Sequence, residues 1–274
     1  MLNDISSYTV LNNGIKMPWF GLGVWKVRDE SELNNAIKWA IEAGYRLIDT
    51  ASAYGNEAGV GKAIKDASID REEIFVTTKL KNSDQGYESA LKAFEESRQA
   101  LGLEYIDLYL IHWPISGKYV DSWRALCKLY EDGLVRSIGV SNFHAHHLED
   151  IISDSGVVPA VNQVECHPWL TQKPLLKYCQ DNNIQMEAYS PLMHGNFKEE
   201  STLTELADKY GKSAAQIALR WNMQNEVIII PKSVTRSRII ENSQIFDFEL
   251  SEEDIKKIDA LNREKRFLPD PDTR

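Results

Sequence analysis

Three apolar segments of this 274-residue chain each end on a titratable side chain: "YRLID" on Asp49, "EIFVTTK" on Lys79 and "YIDLYLIH" on His112. Tyr54 stands five residues after Asp49, in "LIDTASAYGNE". A carboxylate, an ammonium and an imidazole are costly ornaments for the ends of buried strands, because an ion buried without a partner is penalised by several kcal/mol. Gathered on one rim they could move protons and stabilise developing charge. Taken singly, each has a structural explanation. Asp49 could cap a following helix, Lys79 could snorkel to solvent and His112 could be a satisfied core histidine.

Two other clusters carry chemical potential. "PKSVTRSR" packs Lys232, Arg236 and Arg238 into seven residues, either a solvated basic face or an anion site. "FHAHHLED" offers His144, His146 and His147. A closed zinc site needs four convergent ligands and this stretch supplies three, so no metal is expected.

The elements that must position these groups alternate along the chain. "SELNNAIKWAIEAG" sets Leu33, Ala36, Ile37, Ala40 and Ile41 on one helical face, with Ser31 as the expected N-cap and Gly44 as the stop. "YESALKAFEESRQALG" reads as a helix ending at Gly102. Strand-like runs begin near 20, 46, 74, 106, 135, 161, 185 and 227. Eight β-then-α units predict a (β/α)8 barrel in preference to a doubly wound sheet. Asn13-Gly14, between two short runs, predicts an N-terminal β-hairpin capping the barrel floor. No Pro/Gly/Ser-rich linker or shift in composition divides residues 1–274, so one domain is expected.

In such barrels the chemistry sits at the C-terminal ends of the strands. By that rule Asp49, Lys79 and His112 share a rim with Ser141 and Asn142, Gln163 and Glu165, Tyr189, and Lys232 beyond the last strand. The formal charge of −10 argues against nucleic acid or an anionic membrane surface as the main partner and favours a small molecule. The N-terminus lacks a basic region followed by an apolar core, and no apolar run nears the ~20 residues of a membrane span, so a cytoplasmic protein is expected. Cys127, Cys166 and Cys179 are odd in number and widely spaced, which suits neither a disulfide framework nor a zinc ribbon.

The chain resembles the aldo-keto reductases, above all their bacterial glyoxal and diketo-gluconate reductase-like branch. The resemblance rests on "GLGVWK" (21–26), "GYRLIDTASAYGNE" (44–57), "TTK" (77–79), "LIHWP" (110–114), "SIGVSNF" (137–143), "NQVECHP" (162–168), "AYSPL" (188–192) and "IPKS...R" (230–238). It implies a catalytic tetrad of Asp49, Tyr54, Lys79 and His112. In that scheme Tyr54 is the proton donor in carbonyl reduction, with its pKa of about 10 lowered by Lys79. Asp49 holds Lys79 charged and in place, and neutral His112 orients the carbonyl oxygen.

The resemblance further implies NADPH. No GxGxxG follows any strand, so a Rossmann site is not supported. Instead Ser141, Asn142 and Gln163 would hold the nicotinamide amide and Tyr189 would stack on its ring. Trp25, Ser190 and Leu192 would add cofactor contacts. Lys232, Ser233, Arg238, Glu241 and Asn242 would hold the adenosine phosphate, a place where barrels favour anions. Trp25, Tyr54, His112 and Trp113 would line the substrate pocket, with Trp169 a further candidate, whereas Trp39, Trp123 and Trp221 belong to the core. The short tail after Asn262 suggests an open pocket for small carbonyls. The expected protein is a monomeric NADPH-dependent reductase of aldehydes and ketones, with methylglyoxal and glyoxal as substrates. Alternatives are a sugar-acid or steroid/prostaglandin ketone reductase, or a nucleotide-sensing protein with vestigial catalysis.

Overall fold

The computed structural model describes residues 4–67 and 69–274. Two strands, β1 (Tyr8–Val10) and β2 (Lys16–Pro18), form an antiparallel hairpin. Its turn is longer than a two-residue link. Gly14 takes φ +85°, and Leu11 and Ile15 close the loop through a 2.9 Å backbone bond, the arrangement of a turn followed by a glycine bulge.

Eight parallel strands follow in chain order: β3 (Gly21–Gly23), β4 (Leu47–Asp49), β5 (Phe75–Leu80), β6 (Ile106–Ile111), β7 (Val135–Ser141), β8 (Val161–Glu165), β9 (Gln185–Tyr189) and β10 (Ile228–Ile229). The sheet curls until its edges meet. Phe20 pairs with Ile229, and the Gly23 N–H donates to the Pro231 carbonyl at 3.3 Å. That approach requires glycine, because a Cβ on Gly23 would stand 2.9 Å from the Ile230 carbonyl oxygen. Each expected strand is present, and the fold is the (β/α)8 barrel.

The helices α1 (Glu30–Glu42), α2 (Glu57–Asp66), α3 (Tyr87–Leu101), α4 (Tyr119–Glu131), α5 (Ala145–Ser155), α6 (Lys173–Asp181), α7 (Ser201–Tyr210), α8 (Ala214–Gln224), α9 (Arg236–Ser243) and α10 (Glu252–Asp259) lie between and after the strands. The first begins two residues earlier than its pattern suggested: Asp29, not Ser31, is the N-cap, its carboxylate accepting from the Glu32 N–H at 2.8 Å. Gly102 ends α3 in the left-handed conformation, as expected.

Strand alternation divides the side chains into two sets. Ile48, Val76, Tyr109, Ile111, Val140, Val164 and Ala188 belong to the core shared with the helices. Leu47, Phe75, Leu108, Leu110, Val161 and Ile228 belong to a separate inner cluster, together with Leu11 and Met17 of the hairpin segment. Asn13 ties the turn to β7 by donating to the Arg136 carbonyl and the Ser137 hydroxyl at 2.9 and 3.0 Å. The hairpin thus seals the floor, and the inward positions one step above the apolar plug are free to be polar.

Candidate active site

Two residues above Leu47, Asp49 faces inward again, 2% exposed; Lys79, fully buried, stands four above Phe75 on β5. Lys79 Nζ donates to both Asp49 oxygens at 2.7 Å and to the Thr50 carbonyl at 2.8 Å. Asp49 therefore caps no helix, and Lys79 does not reach solvent. Burial opposes the charge on Lys79, but Asp49, Tyr54 and Glu187 together outweigh it and hold the ammonium above the ordinary lysine range.

Tyr54 reaches this pair through a short 3-10 turn, Ser52–Tyr54, stopped by Gly55 at φ +68°. The Ser52 hydroxyl pins the turn to β5 by donating to the Lys79 carbonyl at 2.9 Å. Lys79 Nζ lies 5.3 Å from the Tyr54 ring centroid, and the Tyr54 and His112 rings meet edge to face at 5.7 Å. Here the structure corrects the sequence-based expectation of a depressed phenol: burial pushes Tyr54 above its ordinary value, and Lys79 opposes that rise without reversing it. Burial, with Lys79 nearby, pushes His112 down to about 3, so its imidazole is neutral at pH 7.

Sequence reasoning missed Glu187. It lies on β9, fully buried, and shares one partner with Asp49: Gln163 Nε2 donates to Asp49 Oδ2 at 2.7 Å and to Glu187 Oε2 at 2.8 Å. Its other oxygen has no hydrogen-bond partner. Alternation offered the missing signal, since Glu187 precedes inward-facing Tyr189 by two residues. Burial and then Asp49 push Glu187 up to about 8. Its proton is consequently retained in the folded chain over the range in which the unfolded chain, near the ordinary 4.5, releases it. Stability should therefore fall as pH rises from about 4.5 to about 8 and level off above. Urea unfolding of Glu187→Gln across this range should show a flatter dependence than wild type; parallel curves would mean that Glu187 is ionised throughout.

Ser141 and Asn142 end β7 and its first turn, with Asn142 at φ +65°. Asn142 Nδ2 donates to the His112 carbonyl at 2.9 Å, and its Oδ1 accepts from the Tyr189 hydroxyl at 2.7 Å. These contacts fix the Tyr189 ring against the wall of a cavity of about 1050 Å3. The cavity is also lined by Trp25, Asp49, Tyr54, His112, Trp113 and Gln163, and by Ser190, Leu192, Lys232, Ser233, Arg238, Glu241 and Asn242. Of the tetrad and the candidate cofactor residues, Lys79 alone stands behind the wall, acting on the cavity through Asp49 and Tyr54.

The basic cluster divides. Arg236 turns to Glu42 at 3.8 Å, whereas Lys232 and Arg238 line the cavity and have no ion-pair partner among the described residues. Trp169 does not line it. Instead Trp169 holds the tail, its carbonyl accepting from the Arg263 and Lys265 N–H groups at 3.2 and 3.0 Å and its ring lying under the Arg263 guanidinium at 4.0 Å. Glu165 continues the clamp, accepting from the N–H groups of Phe267 and Leu268 at 2.7 and 3.1 Å. The segment after Asn262 thus reaches the site: Leu268, Pro269 and Arg274 line the cavity, and Arg274 lies 5.1 Å from the Trp113 ring. The anchor of this segment was not legible in the sequence.

An inward polar rim on a (β/α)8 barrel, opening on a cavity whose lining includes Lys232 and Arg238, defines the class, and comparison with known proteins names it. Residues 20–263 match the aldo/keto reductase family, and the chain belongs to it. It is 57% identical over 272 residues to the glyoxal reductase of Bacillus subtilis (strain 168), covering 99% of each chain. It is 48% identical over 266 residues to the methylglyoxal reductase DkgA of Salmonella typhimurium, covering 96% of each. A Bombyx mori aldo-keto reductase solved in complex with NADP superposes with a TM-score of 0.92 at 38% identity, over 97% of this chain and 96% of that one. The protein is an aldo-keto reductase, an oxidoreductase of a family whose solved members include an NADP complex.

Proposed function

We propose that the chain, acting as one domain, reduces small dicarbonyls of the glyoxal and methylglyoxal type with NADPH. The observation that carries this is the continuous cavity running from Tyr54 and His112 to Lys232 and Arg238. Its residues fit the cofactor: the Tyr189 ring is a flat wall for a nicotinamide, and Lys232 and Arg238, without an ion-pair partner among the described residues, suit a phosphate. NADPH, when bound, supplies the hydride. Ser141, Asn142 and Gln163 orient its carboxamide; because Gln163 spends its N–H groups on two carboxyls, its carbonyl oxygen is left to accept. Neutral His112 donates to the substrate oxygen, Tyr54 delivers the proton, and Lys79, held by Asp49, stabilises the phenolate left behind. Trp25 and Trp113 flank the carbonyl.

The substrate class leans on relatives named as glyoxal and methylglyoxal reductases. A second reading has one observation in its favour: Arg274 on the cavity wall would suit a carboxylate, as in a keto sugar acid. NADPH oxidation followed with glyoxal, methylglyoxal, 2,5-diketo-gluconate and a ketosteroid separates these readings. Absence of turnover with all four would favour a nucleotide sensor. We also propose a cytoplasmic monomer, a reading tested by fractionation and sedimentation; among the described residues no helix is long and apolar enough to cross a membrane.

Cofactor choice gives a sharper test. Arg238 offers a planar fork to the 2′-phosphate that NADH lacks, so Arg238→Ala should weaken NADPH binding by about ten- to a hundredfold and leave NADH binding nearly unchanged. The difference should shrink as salt rises. Trp fluorescence quenching with both cofactors measures it, and equal weakening of the two would mean that Arg238 supports the site without reading the phosphate.

A further inference from the structure

The three histidines of "FHAHHLED" are not alone in space. The tail brings Asp272 to them, and the four ligating atoms, one from each residue, lie within 4.8 Å of one another. His144 Nδ1 is 3.0 Å from Asp272 Oδ1, His146 Nε2 is 3.3 Å from it and His147 Nε2 is 3.7 Å from it. The two ring nitrogens of His146 and His147 face each other at 3.1 Å. An ion with tetrahedral bonds of about 2.0–2.1 Å to nitrogen or oxygen holds its ligand atoms roughly 3.3–3.4 Å apart. The measured separations straddle that value. The fourth ligand that the sequence withheld is supplied by the fold.

We propose that His144, His146, His147 and Asp272 form a site for a divalent transition metal of the zinc type, which fastens the C-terminal tail to the first turn of α5. Three imidazoles and one carboxylate select such an ion over magnesium or calcium, which prefer all-oxygen shells. None of the four residues lines the cavity, so the site is separate from the reductase chemistry. Its reach is nevertheless functional. Leu268, Pro269 and Arg274, on the same tail as Asp272, form part of the cavity wall, and an ion at Asp272 would restrain them.

The ion would displace the hydrogen bonds between His144 and Asp272 and between His146 and His147, and two more, to the other ring nitrogens, oppose it. Arg266 Nη2 lies 3.1 Å from His144 Nε2, and the His144 backbone N–H donates to His147 Nδ1 at 3.2 Å. Ligation through the opposite nitrogen of each ring places a proton where these donors now point. Both bonds are of ordinary strength, and Arg266 keeps Asp270 as an alternative partner at 3.3 Å. Four-ligand zinc binding is far stronger than these bonds together.

The test uses the full-length protein freed of metal by chelation, titrated with Zn2+ by calorimetry and with Co2+ by visible absorption. Wild type should bind one equivalent, and Co2+ should give the intense visible bands of tetrahedral coordination. His146→Ala and Asp272→Asn should each weaken binding at least tenfold while leaving the metal-free melting temperature unchanged, since both side chains are exposed. Zn2+ should also slow hydrogen exchange of residues 263–274 in wild type and not in Asp272→Asn. Binding of no equivalent, or equal affinity in wild type and both variants, would overturn the site. Binding that spares the tail's exchange rate would overturn the fastening role.

Discussion

Tyr54→Phe should lower turnover in aldehyde reduction by at least about a hundredfold, the usual scale of a lost general acid, while NADPH binding stays as in wild type. The substitution removes one hydroxyl from a half-buried ring whose packing against His112 is through the edge, so the ring and its neighbours should stay in place. The sign of the Tyr54 shift sharpens the test. Burial holds the phenol protonated above its ordinary range, so reduction should be insensitive to Tyr54 across neutral pH. Oxidation of the alcohol needs the phenolate and should rise with pH. Single-turnover rates in both directions would show this, and a Tyr54→Phe enzyme close to wild type in either would remove Tyr54 from the proton path.

Lys79→Met should reduce turnover more than Asp49→Asn, and both should destabilise the fold. Removing one member of a buried pair leaves the other charge uncompensated, at a cost of about 3–5 kcal/mol in general experience. The turnover effects differ because the side chains stand differently toward Tyr54. Lys79 is the cation beside the ring, whereas Asp49 holds that cation, which has the Thr50 carbonyl as a second anchor. Measuring kcat together with urea unfolding separates chemistry from stability. Should Asp49→Asn be the slower enzyme, the carboxylate would have a direct part in the reaction.

Both variants probe a cluster that was partly legible in the sequence. Asp49, Lys79 and His112 stood out because each ends an apolar strand, and strand ends are where a parallel barrel gathers its side chains. The eight strands were legible for a related reason: each is an apolar run bounded by helical periodicity. The start of α1 was misplaced because Ser31 and Asp29 are both good caps, and only the backbone bend at Asp29 decides between them. Glu187 was passed over because a glutamate in "IQMEAYSPL" looks like a surface residue until its register with Gln163 is known. The direction of the Tyr54 shift was missed for a different cause. Proximity to Lys79 could be expected from the motifs, whereas the burial that outweighs it depends on how the folded chain packs around the ring. Trp169 and Glu165 belong to the same class, for their partners lie about a hundred residues away in the tail.

The side chains closest to the proposed chemistry ride on strand ends or on turns pinned to them, while the mouth of the cavity is built from the loop bearing Trp25, the turn bearing Trp113 and the tail bearing Leu268 and Arg274. Mutation can therefore explore the two parts at unequal risk. A change among Asp49, Lys79, Gln163 and Glu187 touches four strands at once through one shared set of hydrogen bonds, and descendants carrying it would lose stability and turnover together. A change at the mouth alters which carbonyl compounds enter and leaves that set intact. Such a lineage can drift from one substrate to another while inheriting its reaction unchanged, and a laboratory seeking a new substrate range would do well to randomise the tail before the barrel.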